Sequence, residues 1–293
     1  MANPGFGRQR MAAPIVLHHG MAGFRELGPL AYFGEAPSHL RRMGFVVYLT
    51  QVEPIAATAD RAAELRQQLR CIARVSGASG LHVVGHSQGG LDARLVASSQ
   101  GDEGLIRSVT TISSPHRGSA VASAFIDLTG DRRTVLLDAI LGLYGSLAGR
   151  PDAEIDLVAQ LGSFTREAMI EFNRQYPDHP AVTYRSWAGR SVATRLTMDR
   201  ASALCDRGHY PNPEGRDVVD PLFALIHPIV SEREGPNDGL VSVEGAMWGQ
   251  FMGCIPADHL DEVGLMADSP PQRFSGFHYL EFLERVAMDL ATP

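Results

Sequence analysis

Leu81-His82-Val83-Val84-Gly85-His86-Ser87-Gln88-Gly89-Gly90-Leu91 is the stretch that decides how this chain reads. Its first four residues favour a strand and lead straight into Gly-x-Ser-x-Gly. Gly90-Leu91-Asp92-Ala93-Arg94-Leu95-Val96 then continues as a plausible helix. A serine on such a sharp strand-to-helix turn has strained dihedrals, and its neighbours at minus two and plus two, Gly85 and Gly89, must be small to clear the adjacent strand and helix. Gly-x-Ser-x-Gly alone is weak evidence, because glycine and serine are common in turns. The alternative is an idle serine in an ordinary strand–turn–helix. The placement between strand and helix decides for Ser87 as nucleophile.

Working outward, short β-branched runs alternate with longer helical patterns, which predicts a mostly parallel sheet with helices on both faces. Strands are expected at Pro14–His18, Phe45–Leu49, Leu81–Val84, Ile106–Ile112, Val182–Trp187 and Ile226–Ser231. A helix ends over His39–Met43 and is closed by Gly44. Ala62, Leu65, Leu69 and Ile72 recur at helical spacing, as do Leu280, Leu283, Ala287 and Leu290 near the end of the chain. The whole chain, 1–293, reads as one α/β domain. Between about Ser119 and Asn173 the alternation breaks off into helical patterns without a convincing strand. Within this insertion Val135–Ala148 is apolar on nearly every side, as a buried core helix or a mobile lid would be. Its place after the strand that follows the nucleophile favours the lid.

Acyl chemistry on Ser87 requires two fixed N–H donors where negative charge develops. One is the backbone N–H of Gln88. The other is expected from Met21, in His19-Gly20-Met21-Ala22-Gly23, the loop after the first strand. In strand–turn–helix folds of this kind the triad runs in the order serine, acid, histidine. Asp238, in Gly235-Pro236-Asn237-Asp238-Gly239, presents a carboxylate at a loop tip and is the preferred acid, with Asp217 and Asp220 behind it. His259, in a loop-like stretch before the last helix, is the preferred base. His278 is the reserve, His86 comes too early in the order, and His18 reads as a supporting or structural residue.

Composition limits the alternatives. With 44% hydrophobic and 20% charged residues, the chain resembles an ordinary soluble protein with a large core. Its net charge of -7 argues against a nucleic-acid partner, which usually demands a basic face. Cys71, Cys205 and Cys254 cannot all pair within one chain, and their spacing matches no common zinc pattern. Val135–Ala148 is shorter than the ~20 residues that cross a bilayer, so no transmembrane segment is expected. No signal peptide is visible over Met1–Pro14. The expectation is a chain starting at the mature protein, a route out of the cell other than the general one, or a protein that stays inside.

Several blocks together resemble the true bacterial lipases of the Pseudomonas and Burkholderia type. They are Leu17–Phe24, Val84–Gly90, Ser114-Pro115-His116-Arg117-Gly118-Ser119, Asn237-Asp238-Gly239-Leu240-Val241 and His259-Leu260-Asp261-Glu262-Val263, with Phe172–Pro177 similar to the segment after that family's lid. The resemblance implies an α/β-hydrolase fold, triacylglycerol lipase or carboxylesterase activity on an acyl ester at a lipid–water interface, and a helical lid within 119–173. It also implies a structural calcium bound by Asp220 and Asp261, with backbone carbonyls near Leu265 and Ser269; the acyl-enzyme route itself needs no organic cofactor. Two departures stand out. The family's disulfide has its second cysteine a few residues after the aspartate, and Leu240–Ala246 has none, so that bridge is expected to be absent. Gly264 and Leu265 stand where the family tends to show polar residues. With no leader and no bridge, the chain leans away from the family's secretion route and its dedicated foldase. A polyester hydrolase or acyltransferase could use the same triad, and a non-enzymatic scaffold would be expected to have lost part of it.

Overall fold

The computed structural model describes residues 13–27, 30–127, 160–192, 205, 217–265 and 275–291. Six strands form one sheet in the order β10-β7-β6-β5-β1-β4. They are β1 (Ile15–His18), β4 (Val47–Thr50), β5 (Leu81–His86), β6 (Ile106–Ile112), β7 (Thr183–Gly189) and β10 (Gln250–Ile255). Every neighbouring pair in this sheet is parallel. Two short pairs lie outside it, β2 (Glu26–Leu27) with β3 (Leu30–Ala31) and β8 (Ser191–Val192) with β9 (Asp217–Val218).

Side chains alternate across the sheet because successive residues of a strand point to opposite faces. Ile15, Leu17, Val84 and Ile112 face one core, while Val16, Leu81, Val83 and Val109 face the other. On the second face lie α2 (Thr58–Ser76), through Ala62, Leu65 and Leu69, and α3 (Gln88–Ser98), through Ala93, Val96 and Ala97. The first face is covered by α1 (Ala36–Arg42) and α8 (Tyr279–Ala291), which touch each other. There Phe282 meets the buried Trp187 edge-on at 5.3 Å. Between these lie α4 (Ala120–Asp127), α5 (Arg166–Gln175), α6 (His227–Glu234) and the single turn α7 (Val243–Ala246).

Five of the six expected strands are present: Ile106–Ile112 with its ends unchanged and the other four with shifted ends. The sixth is not: Ile226–Ser231 falls on helix α6. Its apolar residues Ile226 and Val230 are buried four residues apart, a helical spacing, and Pro228 sits in the first turn, where its missing N–H costs nothing. The sixth strand is β10, at the sheet edge. Gly253 and the register shift beside it broke the pattern that marks a strand.

Leu240–Ala246 holds no cysteine, and the structure pairs two cysteines whose spacing alone left the matter open. Cys205 and Cys254 form a disulfide, with the second cysteine carried on β10 rather than close after Asp238. Cys71 is exposed and free. The lid segment Val135–Ala148 lies outside the described residues, as does Ser269. Among the described residues no helix is long and apolar enough to cross a membrane.

The disulfide joins residues 49 apart, so in the chain-entropy view it removes much freedom from the unfolded chain. Cys254→Ala should therefore lower unfolding stability by ~2–4 kcal/mol. Denaturant titration with and without reductant measures this. The parent should lose a similar amount on reduction and the variant nothing further.

Candidate active site

The site lies at the carboxyl ends of the parallel strands, where ligands of open α/β sheets bind. His18 ends β1, His86 ends β5, Ile112 ends β6 and Gly189 ends β7, and each is followed by a residue or loop at the site.

Ser87 has φ 54 and ψ -131, between the end of β5 and the first residue of α3. Its N–H donates to the Ile112 carbonyl at 2.9 Å. A Cβ on Gly85 would come within 2.6 Å of the Gly89 backbone, and one on Gly89 within 2.6 Å of the His19 carbonyl. Both glycines are thus required by close backbone approach. Among the described residues, the non-glycine positions with positive φ are Ala22, Ser87 and Ser113. All three lie at this site, where the surrounding structure holds the strain.

Gln88 begins α3, and its N–H is one of the first four of the helix, which have no intrahelical partner. Its side-chain amide donates to the Ala56 carbonyl and to Thr58 Oγ1, anchoring it to the approach to α2. Across from it, the His19–Gly23 loop carries Met21. Arg61 of α2 holds this loop from below. Its guanidinium donates to the His19 carbonyl at 2.8 Å and to Asp92 Oδ2 of α3 at 2.8 Å. His18 Nε2 meets the same Asp92 oxygen at 3.0 Å, and its Nδ1 pairs with Thr50 Oγ1 at 2.8 Å. Burial, the largest influence, lowers the His18 pKa, offset in part by Asp92. The expected structural role of His18 is what the geometry shows.

Asp238 is fully buried, and its Oδ2 meets His259 Nδ1 at 2.6 Å. Oδ1 accepts from the Leu240 and Val241 N–H groups at 2.8 and 2.7 Å. Burial pushes its carboxyl up, but the His259 ring and these backbone donors bring the balance below the ordinary value. The His259 N–H also donates to the Asp238 carbonyl at 2.9 Å, joining the two loops. The Asp238 loop follows α6, not a strand, and is pinned to β8 by the Ser191 N–H on the Asn237 carbonyl.

Ser87, His259, Met21 and Gln88 line one cavity of about 470 Å³, mouth included. Its apolar wall includes Val121, Leu161, Phe164, Leu240 and Val241. Of the reserve residues, His278 lies at the start of α8, and Asp217 and Asp220 belong to the cluster described next.

Asp217, Asp258 and Asp261 are buried and present oxygens within 4.8 Å of one another. Asp217 Oδ2 accepts the Asp258 N–H, and Asp258 Oδ2 accepts the Asp220 N–H, both at 2.8 Å. Asp261, expected as a metal ligand, is in the cluster, and Asp220 joins it through its backbone N–H on Asp258. Burial and then Asp258 push Asp217 up to about 8, and burial and then Asp220 push Asp258 up to about 7. An all-oxygen set of crowded carboxylates fits a hard divalent cation such as calcium. Sequence reading missed Asp258, although an Asp-x-x-Asp pair straddling His259 was visible. It weighed Asp217 only as a triad acid.

This fold, with a serine elbow and an acid–histidine pair opening on one apolar cavity, is that of an α/β hydrolase. A family model described as palmitoyl protein thioesterase matches residues 14–146. A triacylglycerol lipase from Vibrio cholerae is 30% identical, with 85% of this chain and 79% of that protein covered. One from Pseudomonas fragi is 28% identical over 93% of this chain and 95% of that protein. The crystal structure of a mature Bacillus licheniformis lipase superposes with a TM-score of 0.63 at 19% identity, covering 99% of this chain and 96% of that one. The chain belongs to the triacylglycerol lipase family and is a carboxylic-ester hydrolase.

Asp92 neutralises Arg61 in a fully buried pair. Removing one partner of such a pair strands the other, at a cost of ~3–5 kcal/mol. Asp92→Ala should lose stability on that scale in denaturant unfolding, and Asp92→Asn should lose less.

Proposed function

We propose that the protein hydrolyses esters with apolar acyl chains, as a triacylglycerol lipase or esterase, through an acyl-enzyme on Ser87. One observation carries this reading: Ser87 and the His259 ring, backed by buried Asp238, open on the same apolar cavity as Met21 and Gln88. His259 takes the Ser87 proton as the hydroxyl attacks the ester carbonyl. Asp238 fixes the ring with Nδ1–H toward itself and stabilises the imidazolium that forms. The Met21 and Gln88 N–H groups receive the oxyanion. Its collapse expels the alcohol, which takes its proton from His259. Water, deprotonated by the same ring, then frees the acid.

The acyl chain lies against Val121, Leu161, Phe164, Leu240 and Val241. Three of these, Val121, Leu161 and Phe164, come from the two ends of the 119–173 insertion. That supports the insertion as a lid whose opening on a lipid surface exposes the cavity. Ser87→Ala should keep the fold, by circular dichroism and melting, while ester turnover and labelling by a serine-directed phosphonate both vanish. Normal turnover in that variant would sink the assignment. Parent rates on tributyrin, long-chain emulsions and solid polyester separate a lipase from a polyester hydrolase.

Calcium would be held by Asp217, Asp258 and Asp261, with Asp220 alongside. When bound, it supplies charge neutralisation that pins the loop bearing His259. A cation bound only by the folded state stabilises it by mass action. Chelation should lower the melting temperature, and calcium but not magnesium should restore it. A melting curve indifferent to chelator, with Asp217→Ala and Asp261→Ala matching the parent, rules the site out.

A further inference from the structure

A second line of buried polar groups runs behind the site, and the mechanism above does not use it. Tyr32 follows the short β2–β3 hairpin and is buried, with its ring against Phe24 at 6.1 Å and Phe33 at 5.2 Å between centroids. Its hydroxyl lies 3.0 Å from the Gly20 nitrogen and 2.6 Å from His86 Nδ1. His86 Nε2 faces Glu262 Oε2 at 3.3 Å. Glu262 Oε1 accepts from Ser113 Oγ at 2.6 Å, and Ser113 Oγ accepts the Gly189 N–H at 2.9 Å.

Donor chemistry gives this line a direction. The Gly20 N–H can only donate, so the Tyr32 oxygen accepts it; the buried hydroxyl proton needs an acceptor, and among the described residues His86 Nδ1 is the partner in place to take it. The ring proton of His86 is then on Nε2, which lies near Glu262 Oε2 without a hydrogen bond between them. Burial, the largest influence, holds His86 well below the ordinary histidine pKa, in keeping with a neutral ring. Space at the head of the line is tight. A Cβ on Gly20 would stand 2.7 Å from Ser87 Cβ and 2.9 Å from the Tyr32 hydroxyl, so the nucleophile, this peptide and the phenol are wedged together.

We propose that Tyr32 is a positioning residue for the reaction: its hydroxyl fixes the Gly20 peptide, and so the Met21 N–H beside it, and ties that loop to the His86 ring, which packs on the His259 ring at 4.6 Å. The line couples the oxyanion loop to the base loop from behind, where Arg61 holds the former from the α2 side. This rests on the proposed roles of Ser87, His259 and Met21. Deleting the hydroxyl leaves the ring packed and the Met21 donor present but loosely aimed. The loss should therefore fall mainly on the transition state.

The test compares the parent, Tyr32→Phe, His86→Asn and the double variant on a soluble p-nitrophenyl ester, with rates normalised to sites titrated by a phosphonate, and Ser87→Ala with its rate per mole of folded protein. Removing an oxyanion donor outright costs roughly a hundredfold to a thousandfold, so loosening one should lower kcat about tenfold in Tyr32→Phe. KM should stay within about twofold, and phosphonate inactivation should slow in parallel. The double variant should lose much less than the product of the single losses, because both remove the same strut. A merely structural role would lower the melting temperature and the fraction of titratable enzyme, with kcat per titrated site unchanged. That result, or fully multiplicative losses, overturns the proposal. Should Tyr32→Phe not fold, an unchanged kcat in His86→Asn overturns it. Full turnover in Ser87→Ala would instead sink the triad reading, a result separable from an inert Tyr32→Phe beside a dead Ser87→Ala.

Discussion

Everything at the site depends on how closely two backbones approach beneath Ser87. The chain leaves β5 and turns into α3 so tightly that Gly85 nearly touches Gly89. Gly89 in turn lies against the His19 carbonyl of the neighbouring loop. One glycine-lined contact therefore sets the serine, the first N–H of α3 and the loop bearing Met21 relative to each other. The strain at Ser87 persists because the sheet on one side and α3 on the other leave no room to relax it.

Around this turn the protein buries several ionisable groups, and most are held by named partners. Asp92 gathers Arg61 and His18, so that α2, α3 and the end of β1 share one charge-satisfied centre. Asp238 spends one oxygen on two backbone N–H groups and the other on His259, which leaves the ring a single orientation. Glu262 is completely buried, and burial followed by the Asp238 charge raises its carboxyl well above the ordinary range. The acidic cluster around Asp258 crowds like charges directly beside the histidine loop. Low dielectric makes each interaction stronger, and it makes each one costly to leave unmet. That cost gives the loops defined positions even though they lie outside the sheet.

A covalent tie at the periphery joins a distant segment to the sheet. The disulfide links Cys205 to β10, where Cys254 sits in the buried half of an edge strand. A bridge needs only two suitably spaced Cβ positions, whatever their separation along the chain.

Local sequence alone carried the elbow context, the α/β alternation and the residues proposed as a triad. Short-range rules govern these features: glycines where backbones must touch, alternation along strands, helical spacing at Ala62, Leu65 and Leu69, and a fixed order of functional groups along the chain. The Ile226–Ser231 run was misread because a short apolar run fits a strand or a helix equally well, and only packing against the core and Pro228 in the first turn settled it. β10 escaped because Gly253 interrupts an edge strand whose partner is distant in sequence. The pairing of Cys205 with Cys254, the gathering of Asp217 with Asp258 and Asp261, and the Tyr32–His86–Glu262 line were all decided by tertiary structure. Each joins residues from separate segments through side-chain geometry, and separation along the chain carries no record of which distant side chains the fold brings within a few ångströms.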